Sequence, residues 1–309
     1  MDQQQTDRLM RIAVSGSTGL VGSALCELLQ NQGRDVKPII RGTPTKPDEI
    51  AWDTSHNTFD AEAMSKCDAV VHLAGENIMG RWTDDKKKRI YASRIDSTRS
   101  LATTLAAIKD GPRTLIVASA SGYYGYNGHE TPRTEADPSG EGFLAKVCVD
   151  WEAAADPARE AGIRVVHPRI GIVLSPHGGA LQQMLPPFKL GLGGPIGDGK
   201  QMMSWIALHD LTRILVYCID TPAISGPVNA VAPEPVSNHD FTKALGRAIK
   251  RPTLLPVPRF APKLLLGKDC AEATALGSFR VIPKRLLDTG FVFEFGNLDE
   301  ALLHEMKSA

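Results

Sequence analysis

Neither sign of charge predominates in this chain of 309 residues: 35 Lys and Arg stand against 35 Asp and Glu, a formal net charge of +0. A chain so balanced lacks the basic footprint that a phosphate backbone requires, so nucleic acid is not an expected partner. Long apolar runs are missing too. Hydrophobic residues make up 42% of the sequence but are dispersed, with no run near the ~18 a membrane span needs, so no membrane partner is expected either. Residues 1–8 are polar, without the apolar stretch of a secretory signal, and residues 1–10 read as a frayed tail. The five cysteines, Cys26, Cys67, Cys148, Cys218 and Cys270, lack the close spacing of zinc or redox sites. Neither His167 nor His209 has a metal partner visible in the sequence, so no metal is expected. The thiols read as reduced core residues of a cytoplasmic protein.

What is present is alternation. Over residues 11–175, short β-branched runs at 11–15, 36–41, 69–74, 114–119 and 165–174 alternate with helical patterns at 20–32, 86–108 and 144–161. That order predicts an α/β fold, a doubly wound parallel sheet of Rossmann type with right-handed crossovers and a ligand at the carboxyl ends of the strands. After residue 175 the composition shifts. Seven glycines and three prolines crowd into residues 178–199, which predicts loops and a domain boundary. A smaller mixed α/β domain is expected over 176–309, with helices at 208–220 and 238–248, a strand at 228–231, and segment 205–235 packing back on the first domain.

Gly16, Ser17, Thr18, Gly19, Leu20, Val21 and Gly22 lie between the first strand and the first helix. Glycines at this place let the chain turn tightly, approach a pyrophosphate without a Cβ in the way, and pack the helix on its strand, while free N–H groups at the helix start face the phosphates. An NAD-binding site usually has an acid at the end of the second strand. Here that strand ends in Arg41, and a guanidinium fork matches a 2′-phosphate, so NADP is expected in preference to NAD.

With this cradle, the run Asp68 to Asn77 and Ser93-Arg94-Ile95 in view, the chain resembles the extended short-chain dehydrogenase/reductase superfamily. More narrowly it resembles an atypical branch of the NAD-dependent epimerase/dehydratase family whose C-terminal domain has no assigned function. Matching stretches recur along nearly the whole chain, among them 119–125, 142–145, 150–152, 169–174, 191–201, 226–233 and 290–291. The resemblance implies a bound dinucleotide, a turn of Leu73, Ala74 and Gly75 under its adenosine and pyrophosphate, and Arg94 near its phosphates. The charged run 86–89 reads as a solvated helix face.

The superfamily generally uses a tyrosine followed four places later by a lysine, the lysine holding the nicotinamide ribose and easing proton exchange at the phenol. No such pair exists in this sequence. The five tyrosines are followed at that spacing by Ile95, Asn127, Gly128, Glu130 and Thr221. The segment in the motif's place offers Phe143 and Leu144, with Val147 and Cys148 four places on. Lys146 belongs to another helix face and reads as a surface charge. The polar groups left near the expected nicotinamide are Ser119, at a strand end, and Tyr123 and Tyr124 just beyond it. These three are the candidate catalytic residues. The glycine-rich segment 193–201 reads either as a lid or as a surface loop, and Asp210 as the cap of its helix.

Two readings of function remain open at this level. One is an NADP(H)-binding oxidoreductase, or an enzyme like the nucleotide-sugar epimerases, on a small hydroxyl or carbonyl substrate that the sequence does not identify. The other is a non-catalytic NADP(H)-binding protein that senses redox state.

Overall fold

The computed structural model describes residues 9–128 and 131–307, so most of the expected tail at 1–10 lies outside the described residues. In chain order the first part comprises β1 (Arg11–Ser15), α1 (Leu20–Asn31), β2 (Asp35–Arg41), β3 (Ile50–Asp53), β4 (Thr58–Phe59), α2 (Ala61–Ser65), β5 (Ala69–His72) and α3 (Asp84–Ala107). There follow β6 (Thr114–Val117), β7 (Ser119–Ala120), a 3-10 turn (Ser121–Tyr124), α4 (Phe143–Ala153), α5 (Asp156–Glu160), β8 (Arg164–Ile170) and β9 (Ile172–Leu174). The remainder is α6 (Gly179–Lys189), β10 (Met202–Met203), β11 (Trp205–Ala207), α7 (Leu208–Asp220), β12 (Gly226–Ala230), β13 (Val236–Ser237) and α8 (Asn238–Ile249), then α9 (Phe260–Leu266), α10 (Lys268–Ala273), α11 (Lys284–Asp288) and α12 (Leu298–Lys307).

One sheet organises the molecule, with strand order β12-β8-β6-β5-β1-β2-β3-β4 and β7 paired to β8. Every pairing in it is parallel except β3 with β4. Parallel strands are covered on both faces and so carry near-continuous apolar runs. Val70 and Val71 of β5 are both fully buried and belong to opposite layers, Val71 with Leu25, Leu29 and Ile214 on one face, Val70 with Leu101, Leu105 and Trp151 on the other. Within 205–235, α7 packs against α1 and β12 pairs with β8, Val228 opposite Pro168.

The predicted elements are found with local corrections, the first being that the run 114–119 breaks at Ala118 into β6 and β7. The run 165–174 divides at Gly171, where a Cβ would stand 2.6 Å from the Ser204 carbonyl oxygen, so the chain leaves the main sheet there and pairs β9 with β11 instead. The helix expected over 144–161 divides into α4 and α5 around residues 154–155. Segment 178–199, expected to be loop, contains α6 despite Pro186 and Pro187, because Leu181, Leu185 and Phe188 fall on one face and bury in a cluster with Leu174 of β9, Trp205 and Phe241. That burial outweighs the backbone bonds the two prolines forgo.

Candidate functional site

Because β1, β2, β5, β6 and β8 run parallel, their carboxyl ends share one edge, and the predicted site residues collect there. Gly16 adopts a positive φ of 69°, and a Cβ on it would stand 3.0 Å from the Ala74 backbone nitrogen, so the cradle loop and the 73–75 turn lie against each other. Gly22 is tighter still. A Cβ there would be 2.1 Å from the Gly16 carbonyl oxygen, which makes glycine a condition of folding α1 onto β1. Gly19 caps α1 without a side-chain acceptor, Thr18 and Gly19 are exposed, and the first turn of α1 contains no acid. The helix therefore presents N–H groups and its positive end without a side-chain cap or an acid in its first turn to neutralise them.

A buried polar chain sets the position of the 73–75 turn. Ser15 Oγ lies 2.7 Å from His72 Nδ1 and accepts from the Leu73 and Ala74 amides at 3.1 and 3.3 Å. His72 Nε2 stands 3.0 Å from Ser97 Oγ, whose proton goes to the Ser93 carbonyl at 2.7 Å. With Ser97 already donating, His72 donates from Nε2 and accepts from Ser15 at Nδ1: the neutral imidazole, proton on Nε2. Burial agrees with that assignment, since it pushes the His72 pKa down to about 4. The sequence reading gave His72 no role. Its only signal was a polar residue ending an otherwise apolar strand.

Arg94 comes to the same place from α3. Its guanidinium covers Gly75, whose Cβ, if present, would stand 3.2 Å from Cζ, and lies 5.0 Å from the Trp151 ring centroid. It donates to the Glu76 and Ile90 carbonyls at 3.0 and 3.2 Å. Arg41 ends β2, exposed, with no ion pair or side-chain hydrogen bond among the described residues. The run 86–89 is not uniformly solvated: Lys86 turns inward onto Glu76 at 2.7 Å, and Lys87 pairs with Asp269.

The three candidate catalytic hydroxyls gather around an ion pair that the sequence reading did not assign. Arg169 of β8 and Glu152 of α4 pair through two contacts, Nε to Oε1 at 2.8 Å and the second guanidinium nitrogen to Oε2 at 2.9 Å. Ser119 donates to Glu152 Oε1 at 2.7 Å. Tyr124 accepts from Arg169 at 2.8 Å and donates to Asn229 Oδ1 at 2.8 Å, and burial pushes its pKa up to about 12. Tyr123 differs. It is half-buried, its ring centroid lies 3.4 Å from the Arg169 guanidinium carbon, and its phenol has no hydrogen-bond partner among the described residues. The available signal for the ion pair was an arginine inside the apolar strand 164–170. Of the two residues four places after Phe143 and Leu144, both buried, Cys148 has its thiol 3.7 Å from the Ala120 carbonyl and its pKa pushed up to about 11 by burial. Lys146 points outward onto Asp150.

The glycine-rich segment 193–201 is pinned. Gly197 donates to the Val257 carbonyl at 2.9 Å, Val257 to Pro195 at 2.8 Å, and His239 to Gly199 at 2.9 Å, while Asn238 Oδ1 accepts from Ile196. These bonds oppose the lid reading. Asp210 does not cap α7, which begins from Ala207. Fully buried, it accepts from the amides of Glu294 and Phe295 at 3.1 and 2.8 Å and so ties the C-terminal segment to α7. No cluster of metal-ligating side chains occurs among the described residues, and no described helix is long and apolar enough to cross a membrane.

Comparison with known proteins places these features in context. Residues 12–230 match the family described as "NAD dependent epimerase/dehydratase family", and residues 257–305 match a domain of unknown function, DUF1731. The "Epimerase family protein Mb2239" of Mycobacterium bovis is 45% identical over 293 residues, covering 94% of this chain and 96% of that protein. A crystal structure of human epimerase family protein SDR39U1 (isoform 2) with NADPH superposes with a TM-score of 0.86 at 33% identity, over 97% of this chain and all of that one. A nucleoside-diphosphate sugar epimerase from Corynebacterium glutamicum gives 0.80 at 39% identity, over 97% of this chain and 58% of that one.

Proposed function

The chain belongs to the NAD dependent epimerase/dehydratase family, and on that premise we propose that it is an NADP(H)-dependent oxidoreductase acting on a small hydroxyl- or carbonyl-bearing substrate. The observation that carries the cofactor is the cradle, where glycines stand at positions a Cβ would fill and α1 begins with no side-chain cap and no acid in its first turn. Residues 16–22 and 73–75 would hold the pyrophosphate and adenosine, and Arg94, fixed over Gly75, would meet the phosphates. Arg41, at the end of β2 with no ion pair among the described residues, would take the 2′-phosphate and set the preference for NADP over NAD. The human relative crystallised with NADPH supports that choice. When bound, this cofactor supplies or accepts a hydride. The substrate would lie between the part of the chain before residue 175 and the part after it.

On the protein's side the reaction needs a proton donor. Tyr123 is the best placed of the three hydroxyls, because Ser119 and Tyr124 already spend their protons on Glu152 and Asn229. Ser119 would orient the substrate oxygen by accepting or sharing a hydrogen bond, and the Glu152–Arg169 pair would hold both groups in place. A second reading, that the protein binds NADP(H) without hydride transfer and reports redox state, is favoured by those same engaged hydroxyls and by the absence of a tyrosine followed four places later by a lysine. A screen of sugars, aldehydes and ketones for NADPH oxidation separates the two. The oxidoreductase reading expects a hit whose turnover falls about 10²–10⁴-fold in Tyr123→Phe. NADPH binding with no turnover across the screen supports the sensor.

A further inference from the structure

The chain is neutral overall, but its charges are not spread evenly. Residues 241–268 hold seven lysines and arginines and no acid. They form the body of α8, the connection after it, and α9. At the end of α8, Lys243, Arg247, Lys250, Arg251 and Thr253 line a surface cavity of about 420 Å³. Arg247 is paired with Asp299, and Arg251 Nε donates to the Lys189 carbonyl, but Lys243 and Lys250 carry no ion pair among the described residues. Cations at a helix C-terminus complement the helix dipole, which accounts for their sign but not for their neighbours.

Those neighbours are exposed leucines. Leu254 and Leu255, immediately after the cavity, are 85% and 64% exposed. Leu190 and Leu192, 76% and 60% exposed, end α6 beside them: Gly191 faces Pro252, and a Cβ on Gly194 would collide with the Leu255 carbonyl oxygen. The same composition continues on α9, where Phe260 and Leu264 are exposed one turn apart while Leu266 is buried with Trp82. An apolar patch of this kind, rimmed by cations, marks a docking surface.

We propose that this face docks on a membrane surface rich in anionic lipid, the lysines and arginines over the headgroups and the leucines at the acyl boundary. Charge decides between occupants. A second copy of this chain meeting the face about a two-fold axis would set cations against cations. Nucleic acid would pair with the cations but leave the leucines in water. Anionic lipid answers both, the arrangement interfacial segments use. This is peripheral contact rather than a span, and it departs from the expectation that no membrane takes part.

The test is flotation of the full chain with vesicles of phosphatidylcholine alone and of phosphatidylcholine mixed with phosphatidylglycerol. Binding is expected only to the mixed vesicles and is expected to fade at high salt. Each cation removed should weaken it about fivefold, so the triple variant Lys243→Glu/Lys250→Glu/Arg251→Glu should lose roughly a hundredfold or more. Leu254→Ser/Leu255→Ser should lose about tenfold. Circular dichroism of both variants checks that these surface changes leave the fold intact. Equal binding to neutral vesicles, no binding to either, or undiminished binding by either variant overturns the proposal. Displacement from vesicles by inorganic phosphate or single-stranded DNA at matched ionic strength overturns it in favour of a simple anion site. A dimer in sedimentation that the leucine substitutions abolish assigns the face to a second copy instead.

Discussion

Glycines that look alike in the cradle do different work. A Cβ on Gly22 meets the Gly16 carbonyl at 2.1 Å, a backbone atom with nowhere to move, whereas a Cβ on Gly19 stands 3.3 Å from that oxygen on an exposed residue. Gly22→Ala should therefore destabilise the fold itself, by about 1–3 kcal/mol as overpacking does, seen as a lower denaturation midpoint without any cofactor present. Gly19→Val should leave the midpoint within roughly 1 kcal/mol and abolish NADPH binding, because its methyls would occupy the phosphates' place. Reversal of that pattern, with Gly22→Ala neutral, would refute the cradle geometry. Arg41 offers a cleaner discrimination: Arg41→Ala should weaken NADPH about ten- to hundredfold in a fluorescence titration and leave NADH unchanged, since a charge-assisted bidentate contact contributes about 1.5–3 kcal/mol. Glycine spacing and a basic strand end could be read from the sequence because each is a local property. His72 could not be. Its role depends on Ser15 and Ser97, which reach it only when three elements assemble.

At the scale of elements, α4 carries no proton-transfer pair but still helps to build the site. Its inward face carries Glu152, which locks Arg169 of β8 with side chains 14% and 4% exposed and so ties helix to sheet at the site edge. Breaking a buried pair leaves an uncompensated charge and costs about 3–5 kcal/mol, whereas replacing both partners by apolar groups costs far less. Glu152→Gln should accordingly lower stability by roughly that amount and Glu152→Leu/Arg169→Met by much less, as urea titration would show. Equal losses in the two variants would mean the pair is not what joins α4 to β8. The periodicity of α1, α7 and α8 made them legible, because each buries one face. The pair β3–β4 was not legible: its strands are four and two residues long, and Trp52 stacks on Phe59 at 5.0 Å across a polar turn that masks the alternation. Glycine and proline composition concealed α6 for the reverse reason, since tertiary burial overrode local preference.

Over the whole molecule, buried imidazoles link stability to pH. His72 and His167 are each held near a pKa of about 4 against an ordinary 6.5, chiefly by burial. Between those values the unfolded chain binds protons that the folded chain refuses, so stability is complete above about pH 6.5 and is lost progressively as the pH falls toward 4. At pH 5 each imidazole costs about 2 kcal/mol, from roughly 1.5 pH units at about 1.4 kcal/mol apiece. Two together remove about 4 kcal/mol, a large part of the 5–15 kcal/mol typical of a folded protein. His304, lowered by burial, acts in the same sense, while exposed His56, raised by Asp53, and Glu305, raised by burial, act in the opposite one. The paired carboxylates Asp35, Asp137 and Asp150 all have lowered pKa values, so their loss comes below this window and leaves the imidazoles to dominate it. Urea denaturation at pH 7 and pH 5 should thus differ by several kcal/mol, and His72→Asn or His167→Asn should each remove about half of that difference whatever it does to stability at pH 7. A protein equally stable at both values would show that these two side chains are not neutral, desolvated groups, and for His72 would contradict the neutral imidazole of the Ser15–His72–Ser97 chain.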